Sequence, residues 1–214
     1  MDYAPETFDL DVEEAVNTFF NSYVSTLNKK NVLCILRKYA QNLSDLTIQN
    51  ILFVASLLTD FNACIITDLD EVIFNSTDEN QQQIPLFQVN KHVMDICKHV
   101  PFCAALTTRL QITQVSTEDE LAEAIDVYLP VITRPQKVPV DNTCCWKFAM
   151  LKILVELTGK KLFMLDDSLS LYNFIRAQNH PKIKGILFRG SQTPNHKAGV
   201  NWRELTQKIQ DMVG

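Results

Sequence analysis

The sequence predicts an α/β protein: a Rossmann-like parallel sheet with helices on both faces, preceded by a helical N-terminal extension. Three observations lead there. Through residues 11–60 apolar side chains recur at three- and four-residue steps, the period of a helix. Beyond residue 60 short apolar runs alternate with further helical patterns, as expected of strands buried on both faces and joined by crossover helices. Polar residues able to do chemistry follow several of those runs, where open parallel sheets gather their ligands.

The elements follow in order. Val12, Ala15, Val16, Phe19, Phe20 and Tyr23 trace one face of a first helix. Val32 to Tyr39 and Leu46 to Leu58 repeat the pattern, with Asn42 and Ser44 supplying a break and a cap between them. Ala63–Thr67 is a buried strand, followed by a polar loop from Asn75 to Gln83 and a helix from Val89 to His99. A second strand is expected at Phe102–Leu106. Ser116, with Asp119 and Glu120 after it, is expected to cap a helix running to Tyr128, and Pro130 to Pro139 reads as an irregular connection. Trp146 to Leu157 is a helix closed by Gly159, and Leu162–Leu165 a third strand. A helix at Leu169–Gln178, a strand at Gly185–Phe188 and an amphipathic helix at Trp202–Met212 complete the chain. This divides it into a helical extension over 1–60, packed on the core, and a core over 61–214 with a small insertion near 110–145.

Composition narrows the function. At 214 residues, 46% hydrophobic and 21% charged, the chain is an ordinary globular one with room for one α/β core. Its net charge of −5 offers no footprint for a polyanion, so nucleic acid is not an expected partner. Apolar runs such as Ile51–Leu58 are far shorter than the ~20 residues a membrane span needs. Met1–Leu10 carries acids and no apolar export segment, so a soluble, cytoplasmic protein is expected. Cys34, Cys64, Cys97, Cys103, Cys144 and Cys145 form no C-x-x-C pair and are expected to be buried free thiols. His92, His99, His180 and His196 show no spacing that suggests a triad or metal ligands.

The chemistry sits at three strand ends. The first is Thr67-Asp68-Leu69-Asp70-Glu71-Val72, the second Thr107-Thr108-Arg109, the third Asp166-Asp167-Ser168, and Lys147 opens the helix between the last two. Taken singly, an acid after a strand is as often a helix cap, and a threonine or lysine there more often serves the backbone or the solvent. The conjunction carries the weight.

Two Asp separated by one residue, then a strand ending in Thr, then a Lys, then paired Asp resembles the four-motif signature of the haloacid dehalogenase superfamily. The resemblance runs from about Ala63 to Gly190, and D-x-D-x-[TV] is met by Asp68, Asp70 and Val72. It implies a magnesium-dependent phosphatase. Asp68 would be nucleophile and metal ligand; Asp70 would give its carbonyl to the metal and act as general acid, then base. Thr107 would donate to the phosphoryl group and Lys147 would offset its charge, with Lys152 as the rival lysine. Asp166 and Asp167 would complete the metal site, and Thr108 and Arg109 would contact substrate.

Between Val72 and Thr107 there is room for about one loop and one helix, so the large cap of many relatives is not expected. An open site suits a phosphorylated protein side chain, and Thr67–Phe74 resembles the D-L-D-E turn of superfamily members acting on phosphoproteins, which usually have Thr where this chain has Val72. Phosphotyrosine is the favoured substrate. The helical preface and the Asn, Gln and Lys usage resemble a bacterial effector tyrosine phosphatase, secreted into a host cell. The alternatives are a catalytically silent binding module of the same fold, a small-metabolite phosphatase, and a phosphomutase, for which the cap material is too short.

Overall fold

The computed structural model describes residues 10–75, 88–89, 103–124, 129–188, 207–208 and 211. Three helices come first: α1 (Val12–Ser22), α2 (Lys29–Lys38) and α3 (Asp45–Leu58). Each is started by a side chain that accepts an otherwise orphaned backbone N–H: Asp11 from Glu13 and Glu14, Asn28 from Asn31, and Ser44 from Thr47.

The main sheet follows. Its strands are β1 (Ala63–Thr67), β4 (Cys103–Leu110), β5 (Val131–Arg134), β6 (Lys161–Asp166) and β7 (Ile183–Leu187), all parallel, in the order β5-β4-β1-β6-β7. Between β1 and β4, the two-residue strands β2 (Phe74–Asn75) and β3 (Gln88–Val89) pair antiparallel. The crossovers are α4 (Gln114–Ala124), α5 (Thr143–Thr158) and α6 (Leu169–Gln178). The chain builds outward from β1 through β4 to β5, then returns to β1's other side for β6 and β7. β1 is therefore the point where the winding reverses, and the C-terminal edge beside it is where this topology places a ligand crevice.

Period-two alternation divides the strands between two cores. Cys64, Ile66, Ala104, Leu106, Ile132, Leu162 and Met164 face a cluster shared with α1, α2, α3, α5 and α6. Ile65, Cys103, Ala105, Val131, Phe163, Leu165 and Ile186 face the other side, where Leu121 of α4, Leu129 and the turn residues Leu69, Val72, Ile73 and Phe74 cover them. Helices thus lie on both faces of a parallel sheet. The N-terminal helices share the first cluster: Val16, Leu36, Ile48, Ile51 and Leu52 are all inaccessible to solvent. Trp146 Nε1 donates to Asn42 O at 3.2 Å and Tyr39 Oη to Glu156 Oε1 at 2.5 Å, fastening α5 to that helical layer.

Several expectations are corrected. The stretch read as an irregular connection, Pro130 to Pro139, contains β5, the sheet's edge strand; proline is tolerated at a strand's boundary on an edge, and Pro130 and Pro135 flank this one. Residues 110–145 accordingly hold α4 and a strand of the main sheet. Ser116 does not cap α4, which starts at Gln114 after a 3₁₀ turn; the Ser116 hydroxyl donates back to Thr113 O. Val89, expected to open a helix, lies in β3, and the rest of that helix falls outside the described residues. The loop from 76 to 83, residues 125–128 and most of Trp202–Met212 fall outside them as well. Cys64 and Cys103 are buried, whereas Cys34 and Cys145 are exposed, because the buried faces of α2 and α5 are carried by their neighbours. No helix among the described residues is long and apolar enough to cross a membrane.

Because α3 and the sheet share one core, Leu52→Ala is expected to cost ~2–5 kcal/mol and to lower the urea midpoint of a single unfolding transition. Val24→Ala, at a residue 98% exposed, should stay within ~0.5 kcal/mol. A Leu52→Ala protein in which the helices melt separately, before the sheet, would contradict the shared core.

Candidate functional site

β1 ends at Thr67, and the next backbone amide, Asp68 N, still donates to Leu165 O of β6 at 2.8 Å. Asp68 is therefore held at the seam between the two strands that meet at the winding reversal. The chain then folds into a tight turn in which Leu69 O accepts from Ile73 N and Phe74 N, both at 2.9 Å. Leu69, Val72 and Ile73 are wholly buried, so the apolar residues anchor the turn while Asp68, Asp70 and Glu71 face the cavity. Glu71 takes a left-handed backbone, φ 61°, which costs a side-chain-bearing residue on the order of 1 kcal/mol.

β6 delivers the second group. Asp166 is its last residue, 2% exposed; Asp167 follows, and Ser168 caps α6 through Leu171 N. The Ser168 amide donates to Asp166 Oδ1 at 2.8 Å, and the Leu69 amide to Asp68 Oδ1 at 2.8 Å, so each carboxylate is oriented by the turn that follows it. Lys147, fifth residue of α5, projects between them: Nζ stands 2.7 Å from Asp68 Oδ2 and 2.6 Å from Asp166 Oδ2. Carboxylate oxygens of Asp68, Asp166 and Asp167 lie within 4.8 Å of one another.

The electrostatics follow from burial. Burial alone works against the Lys147 charge, but the carboxylates of Asp68 and Asp166 outweigh it and hold the ammonium above its ordinary range. Burial pushes the Asp68 carboxyl up to about 7 against the pull of Lys147, and burial together with Asp166 pushes Asp167 up to about 6. With all three acids ionised, one ammonium faces three carboxylates. Two negative charges are left over in a buried place, which a divalent cation would offset. The donors are hard oxygens, so the chemistry of the set fits a hard divalent cation, magnesium among them, which Asp68, Asp166 and Asp167 would hold.

A cavity of about 250 Å³ opens over this cluster, lined by Asp68, Asp70, Glu71, Thr108, Thr143, Cys144, Lys147, Asp166, Asp167, Ser168 and Leu171. The first turns of α5 and α6 both reach it, with the positive ends of their dipoles. Asp68, Asp70, Lys147, Asp166, Asp167 and Thr108, all singled out from the sequence, are thus brought together. Thr107 is not on the cavity wall: it is wholly buried, and its hydroxyl accepts from Arg109 N at 3.2 Å. Arg109 is turned to protein carboxylates, Asp70 and Glu120. Lys152 is not the site lysine, since its Nζ sits 5.5 Å from the centre of the Tyr39 ring. His180, the described histidine, accepts from Lys182 N in the loop before β7; the other three fall outside the described residues.

The cavity also takes in Glu71 and Ser168, which stand in the strand-end segments singled out from the sequence but were given no role there, and Thr143, Cys144 and Leu171, which were not placed at the site. Ser168 caps α6 directly after the paired acids, the signal that could have given it a role. Comparisons of the chain with protein-family models, curated proteins and solved structures found no match.

Asp68 and Asp167 bind protons more tightly folded than unfolded, so their contribution to stability is full below about pH 4 and is lost as pH rises through about 6 to 7. The metal-free protein is therefore expected to melt at a higher temperature near pH 5.5 than near pH 8. Magnesium, competing with those protons, should raise the melting temperature near pH 8 and do little near pH 5.5. Thermal melts with magnesium and with EDTA at the two pH values check this, and equal magnesium shifts at both would contradict it.

Proposed function

We propose that the chain is a magnesium-dependent phosphatase that hydrolyses a phosphomonoester through an aspartyl phosphate on Asp68. The observation that carries this reading is the convergence of Asp68, Lys147, Asp166 and Asp167 at the C-terminal edge of the sheet, where the winding reverses. The same residues carry the resemblance to the haloacid dehalogenase superfamily. Bound by the three carboxylates, magnesium would supply charge neutralisation between an anionic nucleophile and an anionic ester.

The chain's own residues account for the rest. A carboxylate oxygen of Asp68 attacks phosphorus as the bond to the leaving oxygen breaks, and Asp70, once released from its pair with Arg109 and protonated from solvent, gives that oxygen its proton. Water then attacks the phosphorus, its proton passes to Asp70, and the bond to Asp68 breaks, releasing inorganic phosphate and the free carboxylate. Lys147, held protonated, offsets charge on the transferred group. Thr108, on the cavity wall, takes the hydroxyl role first assigned to Thr107, and the N-termini of α5 and α6 favour an anion in the cavity.

A phosphorylated protein side chain, phosphotyrosine first, is the substrate we favour, because the segment between Val72 and Thr107 is short for a cap and the D-L-D-E turn accompanies such substrates in the resembling family. With p-nitrophenyl phosphate, turnover is expected with magnesium, lost with EDTA, and reduced at least ~1,000-fold in Asp68→Asn. A folded, magnesium-binding wild type without turnover would favour the silent binding module. Phosphopeptides should be turned over faster than sugar phosphates; the reverse would move the reading to a metabolite phosphatase.

A further inference from the structure

The part of the cavity wall that β4 supplies is built on an interrupted strand. Leu106 pairs with Ile132 and Leu110 with Arg134, so Thr107, Thr108 and Arg109 stand opposite the single residue Thr133. The extra residues make a bulge, by which a strand beside a site re-aims a side chain. Successive strand residues point to opposite faces, so in an unbroken strand Thr108 would share the face of Leu106, which lies in the first core. In the bulge it is half-buried and lines the cavity instead, while Thr107 is wholly buried. Two side chains hold this shape. The Thr107 hydroxyl accepts from Arg109 N at 3.2 Å, closing the bulge from within. Arg134 Nε donates to Thr108 O at 3.1 Å, and its Nη1 donates to Val138 O, on the segment that leads into α5. Arg134 is 8% exposed and makes no ion pair among the described residues.

We propose that Thr107 and Arg134 are positioning residues that hold the β4 bulge in the shape that presents the Thr108 hydroxyl to the phosphoryl group. The inference rests on the phosphatase reading and adds to it the means by which one hydrogen-bond donor is aimed. Burying a cation against main-chain oxygens alone costs free energy, so Arg134 is poorly explained as filling for the core. A planar guanidinium donates in two fixed directions at once, which a lysine with its single nitrogen cannot do. One side chain therefore sets the spacing between the bulge and the segment before α5. That segment runs on into Thr143, Cys144 and Lys147, so the two walls of the cavity are held in register with each other.

The hydroxyl matters while the Asp68 oxygen forms its bond to phosphorus and the bond to the leaving oxygen breaks. Donors fixed in place before the reaction stabilise the oxygens of the transferring group more than donors that must reorient. Thr108 is such a donor, and Thr107 and Arg134 act through it without touching the ester. Loosening the bulge leaves the hydroxyl present but poorly aimed, which lowers kcat and spares KM.

Steady-state kinetics of the full chain with p-nitrophenyl phosphate in saturating magnesium, with a thermal melt of each protein, tests the bulge. The proteins are the wild type, Thr108→Val, Thr107→Val, Thr107→Ser, Arg134→Lys, and the double variants that join Thr107→Val or Arg134→Lys to Thr108→Val. Thr108→Val is expected to lower kcat by about 100-fold, and Thr107→Val and Arg134→Lys by ~5–20-fold, each with KM within about threefold. Thr107→Ser, which keeps the accepting oxygen, should recover most of the loss. Each double variant should be no slower than Thr108→Val alone, because both residues act through that hydroxyl. Should Arg134→Lys melt below the assay temperature, the Thr107 variants and their double with Thr108→Val carry the same test. Losses that multiply in the double variants would place the effect elsewhere, in the fold or in the neighbouring Arg109, and overturn the proposal. Thr107→Ser as slow as Thr107→Val would make Thr107 a packing residue, and Thr108→Val at the wild-type rate would remove the hydroxyl from the reaction; either overturns it too. A wild type without turnover would fail the phosphatase reading and this inference with it, whereas an active wild type with any contrary pattern fails the bulge alone.

Discussion

The ammonium of Lys147, 2.7 Å from Asp68 and 2.6 Å from Asp166, is the contact on which the rest of the site depends. The two carboxylates belong to the ends of neighbouring strands, and Asp68 is 7% exposed and Asp166 2% exposed. Ionised and alone they would repel each other in a poorly solvated place, and removing the cation from such a cluster costs several kcal/mol. Lysine reaches them because α5 is fixed in the first core, with Trp146, Phe148 and Met150 all buried in that cluster. The N-terminal helices lie behind α5, joined to it through Asn42 O and the Trp146 indole. A layer far from the cavity thereby fixes where the ammonium stands.

The turn after β1 does the complementary work. Its apolar residues go down into the second core and its acids come up, so the turn's hydrophobic burial aims Asp68, Asp70 and Glu71. Val72 is wholly buried there, which suits an apolar residue at that position of the turn. The left-handed Glu71 is part of the same geometry, a modest strain carried by the burial of Leu69, Val72 and Ile73 on either side.

Much of this was legible in the sequence, and the gaps have physical causes. β1 and α6 matched their expected bounds because each is a clean signal: an apolar run bounded by polar residues, and a capped amphipathic helix ending in Asn179 with a left-handed backbone. β5 was hidden because four residues between two prolines resemble a loop until a neighbouring strand is seen to pair with them. The choice between Thr107 and Thr108 is one of register. Adjacent strand residues point to opposite faces, and β4 shifts register between Leu106 and Leu110, so spacing could not say which hydroxyl meets the cavity. Arg109 was noticed, but its engagement with Asp70 and Glu120 joins residues from three elements and has no sequence signature.

The proposed reaction puts a covalent phosphoryl group on an oxygen of Asp68 in a metal-dependent site. It is tested most directly by trapping that intermediate: mix the magnesium-loaded protein with a turned-over phosphomonoester, quench in acid, reduce with borohydride and locate the modified residue by peptide mass spectrometry. Asp68 alone is expected to be converted to homoserine, and only when magnesium was present. Turnover with no modified carboxylate, or modification at another aspartate, would contradict it.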